Sequence, residues 1–275
     1  MEIKNIHPTA VIGNNVIIEC NEFVLGANSV IKDGCTIRCN KFIAQEGLYM
    51  CEGVEIGRGG CNGPDSNVYI GSNVGIFERT IINPSDEVHI GDNVGIGGEV
   101  MIWTHGAWLD VMQGFPADFG PVKIGNNVWL PARSIVLPNV EIGDNTVIGI
   151  GSIVNRNIPA GSLAAGSPCK VLKENYYPKK LSKEEKEIIV DNILKDWYKL
   201  LKHKGGFDVT THYDKENDSI TLTQFDYEPT PNHETIYNLE DRTVKGYDNN
   251  ISEDLRDYLR RRGIKIFTGK PFKSI

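Results

Sequence analysis

A six-residue repeat between Ile124 and Arg156 constrains the fold more than any other feature of this sequence. An aliphatic residue recurs at every sixth position, a period that fits neither an α-helix nor the simple alternation of a strand. It is the hexapeptide pattern of a parallel β-helix, in which each hexad forms a short strand and a turn and three hexads complete one triangular coil. Each inward residue should stack on the residue 18 positions later. The predicted inward positions are Ile124, Leu130, Val136, Ile142, Ile148 and Val154.

The same pattern can be followed back almost to the first residue. Most spacings are six, and the segment 57–67 (GRGGCNGPDSN) is irregular, so it predicts a bulged coil or a surface loop. The register continues to about Leu172, which gives about 25 hexads or about eight coils. The further inward positions are Ile6, Ile12, Ile18, Leu25, Ile31, Ile37, Ile43, Met50, Ile56, Ile70, Ile76, Ile82, Ile90, Ile96 and Ile102.

The largest break in the repeat is the segment 106–121 (GAWLDVMQGFPADFGP), which interrupts the hexad that begins at Ile102. A long loop that projects from a rigid scaffold often carries function. His105 directly precedes it at a predicted corner, and by register its neighbours in adjacent coils are Ser85 and Asn139. Two interpretations remain open: His105 acts as a general base, or it only satisfies backbone groups of the loop.

The composition changes near Glu174, beyond which glycine becomes rare and charged residues dense. We therefore predict an all-β parallel β-helix over 1–173 and a C-terminal α+β domain over 174–275. Residues 181–204 have helical spacing, with Ser182 as N-cap and Glu185 three residues later. The later elements expected are a hairpin formed by 207–213 and 219–227, a helix over 252–262, and a short strand, IKIF, at 264–267.

Composition also excludes several classes of protein. The net charge of −7 and the pI of about 5.4 argue against a nucleic-acid-binding protein. No apolar run reaches the roughly 18 residues of a membrane span, and the N-terminus does not resemble a signal peptide, so we expect a cytoplasmic protein. Six cysteines without a CxxC pair favour reduced, buried thiols. No GxSxG motif or P-loop is present.

The stretch from Val88 to His105, the loop, and the stretch from Val122 to Lys173 resemble the hexapeptide-repeat acyltransferases, most closely the galactoside, maltose and polysaccharide O-acetyltransferases. The similarity is strong over 88–173, weaker over 1–87 and absent after 174. This resemblance implies a left-handed β-helix, a homotrimer, and acetyl-CoA as co-substrate in a groove between subunits.

The resemblance also assigns roles to residues. The catalytic histidine of the family corresponds to His105. A polar acceptor-site residue of the family falls near Glu78, where asparagine is more usual, and Asn83 and Asp110 are further candidates for binding the acceptor. Asp110 is also a candidate for orienting His105. The positions that correspond to acyl-CoA contacts in the family are Trp129, Ala132, Ile150, where alanine is usual, Asn155, Arg156, Lys170 and Lys173.

Register adds a constraint on the assembly. Ala132 and Ile150 are the third residues of hexads 18 positions apart, so they should share one corner, whereas His105 belongs to another. A neighbouring subunit is therefore expected to supply one side of the site. No metal is expected, because a three-histidine zinc site of the γ-carbonic anhydrase type needs a second histidine, and the loop offers only Asp110 and Asp118.

These observations favour an acyl-CoA-dependent O-acyltransferase that transfers acetyl groups to a sugar or glycan hydroxyl. Histidine titrates near pH 6.5, so a neutral imidazole is available at about pH 7 to accept the hydroxyl proton. An N-acyltransferase acting on an amino sugar or nucleotide amino sugar is the alternative enzyme. The non-enzymatic alternative is a β-helix scaffold that binds a partner through its C-terminal domain.

Overall fold

The computed structural model describes residues 3–61, 63–206, 208–225 and 233–270, with the side chain of Ile3 excepted. The chain divides into two compact units, Met1–Lys179 and Lys180–Ile275. The division lies a few residues beyond the change of composition, because Tyr176 still donates its backbone N–H to Gly161 O at 2.7 Å within the first unit.

The first unit is a parallel β-helix with three faces. Strands of the first face are Val11–Ile12, Val30–Ile31, Tyr49–Met50, Gly75–Ile76, Gly95–Ile96, Trp129–Leu130, Val147–Ile148 and Leu163–Ala165. Strands of the second face are Glu55–Ile56, Ile81–Asn83, Met101–Trp103, Ile135–Val136 and Ile153–Val154. Strands of the third face are Ile3–Ile6, Asn67–Ile70, Val88–Ile90, Val122–Ile124 and Glu141–Ile142. The strands Ile17–Leu25 and Thr36–Ala44 run through both the second and the third face.

The pairing of strands confirms the coil of three hexads. Ile124 pairs with Ile142, and Val136 pairs with Val154, each 18 residues later. The inward side chains of successive coils form one continuous hydrophobic core. Asparagines occupy left-handed turn positions, such as Asn127 with φ of 55°, because asparagine tolerates this conformation better than most residues. We name the turns in chain order: the first corner joins the first and second faces, the second corner joins the second and third, and the third corner joins the third and first.

One predicted inward position is wrong by one residue. Ile43 is half-buried, whereas Ala44 points inward at 1% exposure and pairs with Ile70. The seven-residue spacing follows Ile37 rather than Ile43, as it also follows Ile18 one coil earlier. The core space beside Ala44 is filled by Phe42, whose ring stacks on Phe23 at 5.3 Å between centroids.

The irregular segment 57–67 bulges from the third coil, as predicted, in the residues that the structure describes. Gly57 begins the bulge with φ of 81°, and a Cβ atom there would lie 1.6 Å from Arg38 O. Only glycine therefore fits at this position. The bulge ends where Asn67 starts a strand of the third face.

The β-helix ends earlier than the sequence indicates. Its last inward residues are Ile158 and Ala164, and the strand Lys170–Lys173 then turns back and pairs antiparallel with Leu163–Ala165. Leu172 is 60% exposed and is not an inward position.

In its described residues the second unit contains two helices, α1 (Lys183–His203) and α2 (Asn250–Arg260), and a four-stranded antiparallel sheet. Ser182 and Glu185 form the predicted capping box of α1. The strands in sheet order are Val209–Asp214, Ser219–Gln224, His233–Asn238 and Val244–Gly246. The predicted hairpin is confirmed for its described residues; residues 207, 226 and 227 of the prediction lie outside them.

The strand predicted at 264–267 is absent from the second unit. Ile266 is buried there, and Ile264 donates its N–H to Leu259 O at 3.1 Å, so the segment packs after α2 rather than joining the sheet. No helix within the described ranges combines the length and the apolar character that crossing a bilayer requires.

Candidate active site

The loop 106–121 closes on itself at the second corner. His105 pairs with Phe119 and Gly106 pairs with Asp118 in a short antiparallel ladder. The end of the loop is fixed by Asn139 from the next coil, whose side-chain amide donates to Phe119 O at 2.8 Å. His105 is half-buried, so the loop and the coil together hold the imidazole at the edge of solvent.

A hydrogen-bonded chain reaches His105 from the preceding coil. The Nδ1 atom of His105 lies 2.9 Å from Ser85 Oγ, and Ser85 donates its hydroxyl to Asn83 Oδ1 at 3.3 Å. A serine hydroxyl has one proton, so donation to Asn83 leaves Ser85 Oγ to accept from Nδ1–H. In this arrangement the Nε2 atom of His105 holds the lone pair. Among the described residues, only the Nδ1 atom of the ring has a hydrogen-bond partner.

Two aromatic rings fix the plane of the imidazole. Phe119 stacks on His105 with centroids 5.8 Å apart, and Trp103 meets it edge-on at 6.1 Å. The loop therefore contributes Phe119 directly to the surroundings of His105. These contacts hold the imidazole in one orientation.

Asp110 lies within the loop and is used by the loop itself. Its carboxylate caps a 3₁₀ turn, Val111–Gln113, by accepting from Met112 N at 2.9 Å and Gln113 Nε2 at 3.1 Å. The partner of the imidazole is Ser85 instead. Near Asp110 the loop exposes large apolar side chains, with Trp108 at 96% and Met112 at 89% exposure.

Most candidate residues for the acyl donor lie away from His105. Trp129 is 57% exposed on the first face, and Ile150 is 74% exposed at the first corner. Ala132 is at the same corner, where its carbonyl accepts from Gly151 N at 3.1 Å, so the predicted shared corner of Ala132 and Ile150 is confirmed. The remaining candidates are exposed at the C-terminal end of the β-helix: Asn155, Arg156, Lys170 and Lys173.

Of the candidate acceptor residues, Asn83 adjoins His105 through Ser85, whereas Glu78 lies at the first corner. Glu78 O accepts from Glu99 N at 2.8 Å in the next coil. The carboxylate of Glu78 is near the buried thiol of Cys51, and these two residues with Glu52 place three ligand-type atoms within 4.8 Å of one another. Burial, with Glu78, raises the pKa of Cys51 to about 12. The thiol of the metal-free protein therefore stays protonated at neutral pH.

An open cleft of about 780 Å³ lies on the third face beside the second corner. It lies next to the His105 network because Asp86 follows Ser85 and Pro121 ends the loop. His89 stacks on Tyr69 with centroids 4.8 Å apart. A hydrogen bond from His89 lowers the pKa of Glu87, and the amide of Asn67 adds to this effect. The residues lining the cleft are Asp65, Asp86, Glu87, His89, Pro121 and Lys123.

Sequence reasoning found Ser85 by register but did not identify the cleft or the contribution of Cys61. Cys61 lies in the irregular segment, where no register can be counted, and its thiol reaches Asn83 Oδ1 at 3.3 Å. Among the lining residues of the cleft, Glu87, His89 and Lys123 alternate with inward residues and read as ordinary outward positions of a strand. No local signal in the sequence distinguishes them.

A known protein family matches the six-residue repeat of this chain. Residues 121–156 match the family model described as bacterial transferase hexapeptide, six repeats. The chain is 44% identical over 112 residues to a putative acetyltransferase of Saccharomyces cerevisiae, which covers 40% of this chain and 57% of that protein. The chain resembles the hexapeptide-repeat acetyltransferases. The resemblance inferred from the sequence is thereby confirmed.

Two further proteins are similar to this hexapeptide-repeat chain. It is 54% identical over 54 residues to the galactoside O-acetyltransferase of Escherichia coli, covering 20% of this chain and 27% of that protein. A solved structure of a galactoside acetyltransferase in complex with coenzyme A is 33% identical, with 50% of this chain and 70% of that chain covered and a TM-score of 0.43. The chain thus spans about half the length of one curated relative and about a quarter of the other.

Proposed function

We propose that this chain is an acetyl-CoA-dependent O-acetyltransferase that acts on a sugar or glycan hydroxyl, with His105 as the general base. The observation that supports this most directly is the hydrogen-bonded chain from Asn83 through Ser85 to His105 at the corner where the loop breaks the repeat. It leaves the Nε2 lone pair available to a substrate hydroxyl.

The reaction follows from this arrangement. The Nε2 atom of His105 accepts the proton of the acceptor hydroxyl, and the hydroxyl oxygen attacks the thioester carbon of acetyl-CoA. The tetrahedral intermediate collapses to the acetyl ester, and the coenzyme A thiolate takes a proton from the imidazolium. A backbone N–H near the second corner is the proposed donor to the oxyanion, a contact that typically contributes a few kcal/mol.

The proposed donor site combines apolar and cationic surface. Trp129 and Ile150 offer exposed apolar area for the pantetheine arm. Lys170 and Lys173 are exposed on the returning strand, which pairs with the last strand of the first face, and their ammonium groups suit the phosphates of the nucleotide. Ala132 contributes backbone at the same corner, and Asn155 and Arg156 complete the proposed set.

The proposed assembly is a homotrimer of left-handed β-helices, with the site shared between subunits. Within one chain Ala132, Ile150 and Glu78 lie at the first corner, and His105 lies at the second. A threefold arrangement that presents the first corner of one subunit to the second corner of its neighbour would bring both to one thioester. Glu78 would then meet the acceptor from across the interface.

The cleft on the third face is the proposed acceptor site. Carboxylates and an imidazole hydrogen-bond well to sugar hydroxyls, and the ring of His89, which lines the cleft, is held by stacking on Tyr69. Three carboxylates against one lysine also favour an amino sugar, which is the observation that supports N-acetyl transfer as the second candidate.

A turnover screen tests the proposal. Purified protein with acetyl-CoA should release coenzyme A in the presence of free sugars, nucleotide sugars or glycans, and the products should carry an O-linked acetyl group. Amino sugars are tested as a second class of acceptor in the same screen. Loss of His105 should matter less for an amine, which is already nucleophilic once deprotonated. No release of coenzyme A above hydrolysis with any acceptor would contradict acetyl transfer.

A further inference from the structure

The bulge at 57–67 places the buried thiol of Cys61 beside Asn83 and Ser85, the residues that connect to His105. Cys61 is 1% exposed, and its Sγ atom lies 3.3 Å from Asn83 Oδ1 and 4.0 Å from Ser85 Oγ. Asn83 is itself 1% exposed. Three successive coils thus contribute to one chain of polar groups that ends at the imidazole.

We infer that Cys61 is a positioning residue that fixes the tautomer of His105 by donating its S–H to Asn83. This inference rests on the proposed function only for its consequence in catalysis. The tautomer itself is a property of the free protein. The thiol touches neither substrate nor imidazole, so it acts through Asn83 and Ser85.

The numbers of donors and acceptors at these side chains determine which group donates in each hydrogen bond of the network. The side-chain oxygen of Asn83 accepts from both the Cys61 thiol and the Ser85 hydroxyl, and an amide oxygen has two lone pairs for two donors. With the hydroxyl proton committed to Asn83, Ser85 Oγ accepts from Nδ1–H of His105. The proton then resides on Nδ1, and Nε2 is the basic atom.

The bulge is shaped to bring the thiol to this point. Gly60 has φ of 87°, and a Cβ atom there would lie 3.1 Å from Ser85 Oγ, closer than an ordinary contact. Ser66 holds the bulge by donating its hydroxyl to Cys61 O at 2.9 Å. Burial raises the pKa of the Cys61 thiol, which keeps it in the donating S–H form.

Without the Cys61 thiol, the Oδ1 atom of Asn83 loses one of the two donors that hold the side-chain amide in its orientation. With one donor fewer, the amide gains the freedom to turn its NH₂ group toward Ser85, whose oxygen would accept from it. The Ser85 hydroxyl would then donate to Nδ1 of His105, and the ring proton would move to Nε2. A base with its proton on the atom that faces the substrate cannot accept another there.

Nitrogen-15 NMR of the imidazoles tests this directly. Nδ1 and Nε2 have distinct shifts in the two tautomers, and the signal of His105 is assigned by its loss in His105→Ala. The variants are Cys61→Ala, Cys61→Ser, which retains a donor, and Cys35→Ala. Cys35 is the matched control, because it is a buried thiol that donates to a backbone carbonyl at 3.0 Å at the first corner, away from His105.

We expect the wild type, Cys61→Ser and Cys35→Ala to carry the proton on Nδ1, and Cys61→Ala to shift toward the Nε2–H form. In an acetyl-transfer assay, kcat of Cys61→Ala should fall about 10- to 100-fold with KM for acetyl-CoA unchanged. A wild-type His105 protonated on Nε2 would overturn the inference even if Cys61→Ala does not fold. An unchanged tautomer in a folded Cys61→Ala would also overturn it. The NMR result needs no turnover, so it stands apart from any failure to detect acetyl transfer.

Discussion

The Oγ atom of Ser85 lies 2.9 Å from the Nδ1 atom of His105, although 20 residues separate the two in the sequence. The contact exists because the coil between them returns to the same corner, with Ile82 paired to Ile102 just before it. A rigid ladder of short strands therefore sets the position of the imidazole, and the loop supplies only its outer wall. We therefore expect different effects from changing His105 and from changing the loop.

His105→Ala should lower kcat by about 10²- to 10⁴-fold, because the variant loses the group that accepts the hydroxyl proton. The β-helix and the affinity for coenzyme A should persist, since no inward residue changes. Steady-state kinetics with the best acceptor from the turnover screen would measure this. His7→Ala is a suitable control, because His7 is an exposed histidine whose ring bonds to Thr9 two residues later, away from the second corner. Near-wild-type turnover of His105→Ala would remove His105 from the mechanism.

The assembly should be a homotrimer, because Ala132 and Ile150 lie at a different corner of the chain from His105. Light scattering should give about three times the chain mass of 30.5 kDa. Mixing His105→Ala with a variant altered at Trp129 and Ile150 tests sharing of the site, because mixed trimers regain one intact site at some interfaces. An active monomer would rule out a shared site.

Glu87→Gln should destabilise the β-helix slightly near neutral pH but not in acid. The hydrogen bond from His89 lowers the pKa of Glu87, so its contribution to stability is present above the unfolded value of about 4.3 and is lost as the pH falls through the folded value. The side chain is 36% exposed, so screening should keep the effect below about 1 kcal/mol. Urea unfolding at pH 7 and near pH 3 measures it, with Glu141→Gln on the same face as control. A difference that grows in acid would contradict this assignment.

The register of the second coil can be tested with two neighbouring residues. Ala44→Leu should cost about 1–3 kcal/mol, because the larger side chain overfills a closed core. Ile43→Thr should cost less than about 1 kcal/mol, since Ile43 is only half-buried. Equilibrium unfolding of both variants decides the matter. A larger loss of stability for Ile43→Thr than for Ala44→Leu would indicate that Ile43 points inward, as the six-residue count suggests.

The sequence predicts the regular part of this fold and fails where a residue breaks the count. The spacing of 18 between Val136 and Val154 is visible because both are aliphatic and nothing lies between them but whole hexads. Ala44 was missed because a small inward residue beside an isoleucine gives no signal until Phe42 is seen to fill the space. Ser85 was within reach of the register, but Cys61 was not, because its position depends on the backbone of a glycine-rich bulge.

Replacing residues 107–117 with a short Gly/Ser linker should abolish acceptor turnover while leaving a folded β-helix. Every inward residue of the repeat lies outside this segment, and the remaining Asp118 and Phe119 keep the ladder at the base of the loop. Coenzyme A affinity should weaken only modestly, because its proposed contacts are at the first corner and at the C-terminal end. Isothermal titration with coenzyme A and a transfer assay on the same variant would measure the two effects separately.

The expected loss has a physical reason in the exposed side chains of the loop. Trp108 and Met112 are almost fully exposed in one chain, and burying such side chains contributes about 1.5–3 kcal/mol each, at about 25 cal/mol per Å². They should therefore pack on the neighbouring subunit and the acceptor. Trp108→Ser with Met112→Ser, which keeps the length of the loop, separates loss of this contact from loss of the loop. Full transfer activity in both variants would show that the loop takes no part in binding the acceptor.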